Sequence, residues 1–282
     1  MRLYVSRTQF DSLDKYQRIQ AVIDYVNQLV NGLYEYDELN PQVLEIYFVD
    51  YYLSQVENGG HRQFFSNSGF NPSMNLIILN GLSNMGAVHH KEIFEYALNM
   101  LVSLPEASRE EVLYSPYRES INVSLHSILS SFDAIDAEFH LTESLRNFNY
   151  EYIDNITDLE IVDDDLLSER MKTLLDSVPD YENRLEMQRQ LDIENEPRYS
   201  KIAKALCEHY EHDLISINAI DHGQDFVSDD EVLENEKNGN YYCYLTTSQG
   251  SHYFIYDDIN NTAAFMQENN QHIGTMDCES II

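Results

Sequence analysis

From Leu13 onward the apolar residues recur every three or four positions, and this spacing constrains the fold of the chain more than any other feature. Tyr16, Ile19, Ile23, Val26, Val30 and Leu33 fall on one side of a 3.6-residue helix that closes near Gly32. Pro41 suits a first helical position, where the amide proton it lacks would have no intrahelical partner. Leu44, Phe48, Tyr51, Tyr52 and Val56 then form a second amphipathic face, which Asn58, Gly59 and Gly60 should terminate. Ser73 is a candidate cap for "MNLIILNGL", and "HHKEIFEYALNMLVSL" carries an apolar stripe up to Pro105. Ser108 to Glu111 reads as a capping box. A long pattern through Ile121, Leu125, Ile128, Leu129, Phe132 and Ile135 follows, then a helix around Leu145, Phe148, Tyr152 and Ile156. Residues 1–158 therefore read as an all-helical domain.

Beyond it comes an acidic boundary. Asp154, Asp158, Glu160, Asp163, Asp164, Asp165 and Glu169 arrive with no basic residue between Arg146 and Arg170. Two helical stretches, Leu166 to Val178 and Tyr199 to Tyr210, precede segments of a different period: "LISINAI", "YYCYLTT", "SHYFIYD" and "TAAFMQ". These are short, rich in β-branched and aromatic residues, and separated by turn signals. Residues 159–282 thus read as a smaller domain with a three- to four-stranded antiparallel sheet, and the whole chain as α+β.

Charge narrows the function. The chain has 17 Lys+Arg against 49 Asp+Glu, a formal net charge of −32. A phosphate backbone must be met by basic residues, so direct nucleic-acid binding is excluded as an expectation and anionic membranes are disfavoured. A basic protein surface, such as one that normally holds nucleic acid, would be attracted. Residues 1–150 carry 19 acids and nine bases, and residues 151–282 carry 30 acids and eight bases. Candidate partner-facing carboxylates are therefore Asp154, Asp158, Glu160, Asp163, Asp164 and Asp165, with Asp229, Asp230, Glu231, Glu234 and Glu236 of "DDEVLENE". The bland alternatives are solubility for the charge and a helix start for Asp163 to Asp165.

Three scattered cysteines, Cys207, Cys243 and Cys278, form no CxxC pair and suggest no disulfide framework. The amino-terminal residues have no apolar core, so an unexported cytoplasmic protein is expected. No phosphate-binding glycine loop, zincin or nucleophile-elbow motif is present, which favours a non-catalytic protein without a cofactor. The best metal candidate is "CEHYEHD", with Cys207, His209, His212 and Asp213 within two helical turns. A polar helix face accounts for the same residues, and no metal site is assigned. Tyr241, Tyr242, Tyr244, Tyr253, Phe254 and Tyr256 alternate along a hairpin, so one aromatic set should face a helix and the other water or a partner.

The stretch "YFVDYYLSQVENGGHRQFFSNSGF" resembles the signature of the bacterial DNA-mimic protein family of the DMP type, mostly catalogued as a domain of unknown function. The matching positions are Val56, Asn58, Gly59, Gly60, Gln63, Phe64, Phe65, Asn67, Ser68 and Gly69, and a second similarity lies in "FDAIDAEFHLTESLRNFNYEYIDNI". The resemblance covers residues 10 to 158. It implies an all-helical, often dimeric domain, of a family whose best-known member presents surface carboxylates in place of DNA phosphates and thereby occupies a DNA-binding transcription repressor. The competing expectations are an immunity or regulatory adaptor that binds through its aromatic sheet, and a metal-dependent enzyme centred on His209 and His212.

Overall fold

The computed structural model describes residues 2–115, 117–221, 241–257, 259–279 and 281, with only the backbone described at 119 and 219–221. The chain divides into two compact units, Met1–Arg184 and Leu185–Ile282.

The first unit begins with β1 (Leu3–Ser6) and the single turn α1 (Arg7–Phe10), followed by α2 (Tyr16–Asn31) and α3 (Pro41–Asn67). Next come α4 (Pro72–Asn84), α5 (Val88–Val102), α6 (Glu106–Tyr114), α7 (His126–Leu141) and α8 (Leu145–Tyr152). It closes with β2 (Leu159–Val162) and α9 (Asp164–Leu175); the division falls inside α10 (Tyr181–Glu194). The three-and-four spacing of α2 buries Ile19, Val22, Val26 and Leu29 completely. Gly32 caps it, and Pro41 opens α3 behind Asn40, whose side chain accepts the Gln42 amide proton. Around α3 an aromatic core assembles from Tyr52, Phe64, Phe94 and Phe139, with ring centroids of Tyr52 and the other three 5.0–5.7 Å apart in edge-to-face contacts.

Three expectations are corrected here. The helical domain is not all-helical, because β1 and β2 pair in parallel, Leu3 with Leu159 through Ser6 with Val162. Four-residue strands are too short to show a period of their own. The helix of "MNLIILNGL" is capped by Asn71, whose side chain accepts the Met74 amide proton, with Pro72 in its first turn; Ser73 is already inside it. Ser108 likewise lies within α6, which starts after Pro105.

The first compact unit also runs past residue 158. Met171 of α9 is buried, the Tyr34 hydroxyl donates to the Leu174 carbonyl at 2.9 Å, and Arg184 clamps Glu38 at 2.6 and 3.0 Å. The acidic segment that looks like a boundary is thus bonded into this unit.

In the second unit α11 (Arg198–His209) precedes β3 (Leu214–Asp221), β4 (Tyr241–Thr247), β5 (Gly250–Asp257), β6 (Thr262–Gln267) and β7 (His272–Asp277). These strands form one antiparallel sheet in sequential order, five strands against the three or four expected. Ile202, Ala203, Leu206 and Cys207 of α11 share a core with Cys243, Leu245, Phe254, Tyr256, Ala263 and Phe265 of the sheet.

Candidate functional site

The glycine turn of the signature sits inside α3. Gly59 is extended and Gly60 has φ 78° and ψ 179°, so the helix breaks and restarts at once at His61. The expectation that α3 ends here is therefore corrected to a kink. What allows the restart is Asp136 of α7: its Oδ1 accepts the His61 backbone N–H at 2.9 Å and faces the ring Nδ1 at 2.5 Å. A carboxylate from another helix thus caps the second half of α3. With Nδ1–H aimed at Asp136, Nε2 is left to accept from the Tyr52 hydroxyl, 2.7 Å away. Tyr52 and His61 are completely buried, so the inner part of this chain of bonds holds the core, while the Asp136 side chain remains 27% exposed.

The remaining signature residues divide by exposure. Phe64 and Phe65 are fully buried. Gln63 and Asn67 do not bond the turn's backbone; both donate to Gln55 Oε1, at 3.2 and 2.7 Å, and so bridge the kink from its two sides. Asn58 is exposed, and Gly69, at φ 61°, follows the carboxy-terminal end of α3. His61 and Asp136 lie 75 residues apart, so no spacing in the sequence marks them as a pair, and the histidine directly after Gly-Gly is the one local signal.

The boundary carboxylates run from the turn after α8 through β2 to the start of α9, and most are engaged. Asp164 accepts from Ser6 Oγ at 2.5 Å and Thr8 Oγ1 at 2.6 Å, which holds its carboxyl below the usual carboxylate range. Asp163 meets Arg7 at 2.7 Å, Glu160 meets Arg2 at 2.9 Å, and Asp154 lies 3.7 Å from Arg18. Asp158 and Asp165 are exposed with no cationic partner among the described residues. Asp163 also caps α9 through its carbonyl, which accepts the Leu166 and Leu167 amides, and Asp164 and Asp165 occupy the first turn where the helix dipole favours them. Asp229, Asp230, Glu231, Glu234 and Glu236 lie outside the described residues.

The metal candidate does not converge. Cys207 faces the core, His209 is exposed and edge-on to Tyr210, and Glu211 at φ 58° turns the chain so that His212 packs on His252, ring centroids 4.7 Å apart. Thr247 Oγ1 stands between these two imidazoles, 3.3 Å from one and 3.2 Å from the other. No group of three or more His, Cys, Asp or Glu side chains gathers at metal-binding geometry among the described residues. Cys207, Cys243 and Cys278 are all buried and free, and burial pushes the first two thiols up to about 11 and about 12, which opposes thiolate chemistry.

The aromatic alternation is present as expected. Cys243, Leu245, Phe254 and Tyr256 point into the core, whereas Tyr242, Tyr244 and Tyr253 line the opposite face of β4 and β5. Tyr253 lies between the other two, with centroids 6.3 Å from Tyr242 and 5.9 Å from Tyr244.

Among the described residues no helix is long and apolar enough to cross a membrane. Comparison with curated proteins and with solved structures returned no match. Residues 37–156, which run from the turn before α3 to just past α8 and hold every position of the glycine-turn signature, match the family model described as DMP19-like protein, the family that the signature resembles.

Proposed function

We propose that this chain is a non-catalytic interaction protein that uses its carboxylate surface to occupy the basic groove of a nucleic-acid-binding protein, as a DNA mimic. The observation that carries the reading is the union of a DMP19-like helical domain with 49 acidic against 17 basic residues. A duplex presents one charge per about 1.7 Å of axis, and exposed carboxylates reproducing part of that field compete for the same groove. Asp158, Asp165 and Glu169 are candidates at the acidic boundary, being exposed and without cationic partners among the described residues. Asp163 and Asp164 serve the fold instead, through Arg7, Ser6 and Thr8.

The test is a pull-down of basic DNA-binding proteins on the full chain, followed by salt and duplex titration of the captured complex. The complex should weaken at least tenfold between 50 and 200 mM salt, on the order expected for several screened ion pairs. Duplex DNA should displace the chain, and Asp158→Asn, Asp165→Asn and Glu169→Gln together should weaken it further. A salt-insensitive complex, or one that DNA fails to displace, ends this reading. A second reading, an adaptor that binds through the sheet, is favoured by the tyrosine face of β4 and β5, which lines a cleft of about 400 Å³.

A further inference from the structure

We propose that the outer face of the second unit's sheet holds an arginine-binding cleft, in which Tyr242, Tyr244 and Tyr253 take a guanidinium from a basic polypeptide and Glu268 neutralises it. The cleft encloses about 400 Å³ and is lined by these four residues with Asn218 and Asn270. With the DNA-mimic reading it shares only the basic character of the partner, whereas it deepens the adaptor reading by naming the group that the tyrosine face takes.

The geometry is that of a built site. Tyr253 is held in place by its hydroxyl, which donates to Asn270 Oδ1 at 2.7 Å, and Asn270 is fixed by a turn in which its amide donates to the Gln267 carbonyl at 2.9 Å. Asn218 is anchored on the other side, donating to Thr246 Oγ1 at 2.8 Å and accepting from Ser216 at 2.7 Å. The ring planes of Tyr242 and Tyr244 are tilted 35° and 37° to that of Tyr253, and all three rings line the one cleft. A cation within about 6 Å of such rings is attracted by their quadrupoles, and a planar guanidinium can stack on them while a carboxylate accepts its N–H groups.

The chain places its own cations over other rings. Arg18 lies over Phe10, Arg109 over Phe70, Arg146 over Tyr16 and Arg198 over Tyr256, but no such pair involves Tyr242, Tyr244 or Tyr253 among the described residues. Glu268 has no cationic partner there either. With 30 acids against eight bases over residues 151–282, a basic occupant is the one that charge favours.

The probe is a capped tri-arginine peptide titrated into the full chain by calorimetry, with capped tri-lysine as the control. Tri-arginine should bind several-fold more tightly than tri-lysine. Tyr244→Leu, at a residue 41% exposed, should weaken it roughly fivefold, as loss of one cation–π contact implies, and Tyr244→Phe should restore it to within about twofold. Glu268→Gln should weaken it as well, and this surface change carries the test if the leucine variant melts. Equal affinity for the two peptides, or tri-arginine binding unchanged in both Tyr244→Leu and Glu268→Gln, overturns the proposal. Failure of duplex DNA to displace a captured partner would end the mimic reading and leave this cleft standing.

Discussion

Gly60 shows how one residue sets the geometry of the first unit. Its φ of 78° with ψ near 180° belongs to a region essentially closed to side-chain-bearing residues. A Cβ there would also stand 2.2 Å from Asp136 Oδ2, the carboxylate that caps the restarted helix. Gly60→Ala should therefore cost about 3 kcal/mol or more in urea unfolding, adding steric conflict to backbone strain. Gly69→Ala has a comparable φ of 61° but nothing within 4 Å of its Cβ, and should cost only about 1 kcal/mol. Similar costs would show that the Asp136 cap does not discriminate the two. Asp50 gives a pH dependence. Burial pushes its carboxyl up to about 6, with Arg146 and the Tyr16 hydroxyl at 3.4 Å pulling the other way. Because the folded state then holds the proton more tightly than the unfolded chain does, Asp50 contributes most below about pH 4 and loses that contribution as pH rises through about 6. Wild-type stability measured against Asp50→Asn should thus fall by about 2 kcal/mol between pH 4 and 7, and a flat difference would contradict it.

Elements were legible where side-chain period and packing coincide. In α2 the spacing of Ile19, Val26 and Val30, with Gly32 behind, marks both the buried face and the end. By contrast α10 buries nothing, so no apolar stripe announces it. β7 alternates residues such as Thr275 and Asp277 at a sheet edge, and β1 draws its register from a strand 156 positions away. The kink of α3 escaped for the same reason: glycine predicts a break, but only Asp136 on α7 determines that the helix resumes. The tyrosine face was visible in the alternation of β4 and β5, whereas its cleft depends on the Asn270 turn beyond β6. Leu3 and Val5 are 0% and 1% exposed, and β1 pairs with β2, which lies entirely after residue 158. A fragment 1–184 should melt cooperatively, whereas 1–158 should lose the β1 pairing and the Ser6 and Thr8 bonds to Asp164 and melt several degrees lower by circular dichroism, since about 1 kcal/mol moves the midpoint of such a domain by about 2–4 °C. Equal midpoints would show that β2 and α9 add nothing to this unit.

At the scale of the whole molecule the count of charges was legible and their pairing was not. Nothing in "IVDDDLL" announces that its first two aspartates are engaged by Arg7, Ser6 and Thr8 while Asp165 is left in water. What the count does dictate is a global field. With a net charge of −32 the folded chain repels itself, because folding brings together carboxylates that the unfolded chain keeps further apart. Salt screens that repulsion over a Debye length of about 10 Å at 0.1 M, so it should stabilise the free protein. The same screening weakens attraction to a basic partner. Raising NaCl from 20 to 200 mM should therefore raise the thermal midpoint of the free chain by a few degrees while the partner affinity falls tenfold or more, two responses of opposite sign from one field. Solubility alone would produce the first response without the second. A midpoint that falls with salt would mean instead that the folded surface arranges its acids around cations such as Arg2, Arg7 and Arg184 closely enough to gain from them, and the unpaired carboxylates would then be too few to imitate a duplex.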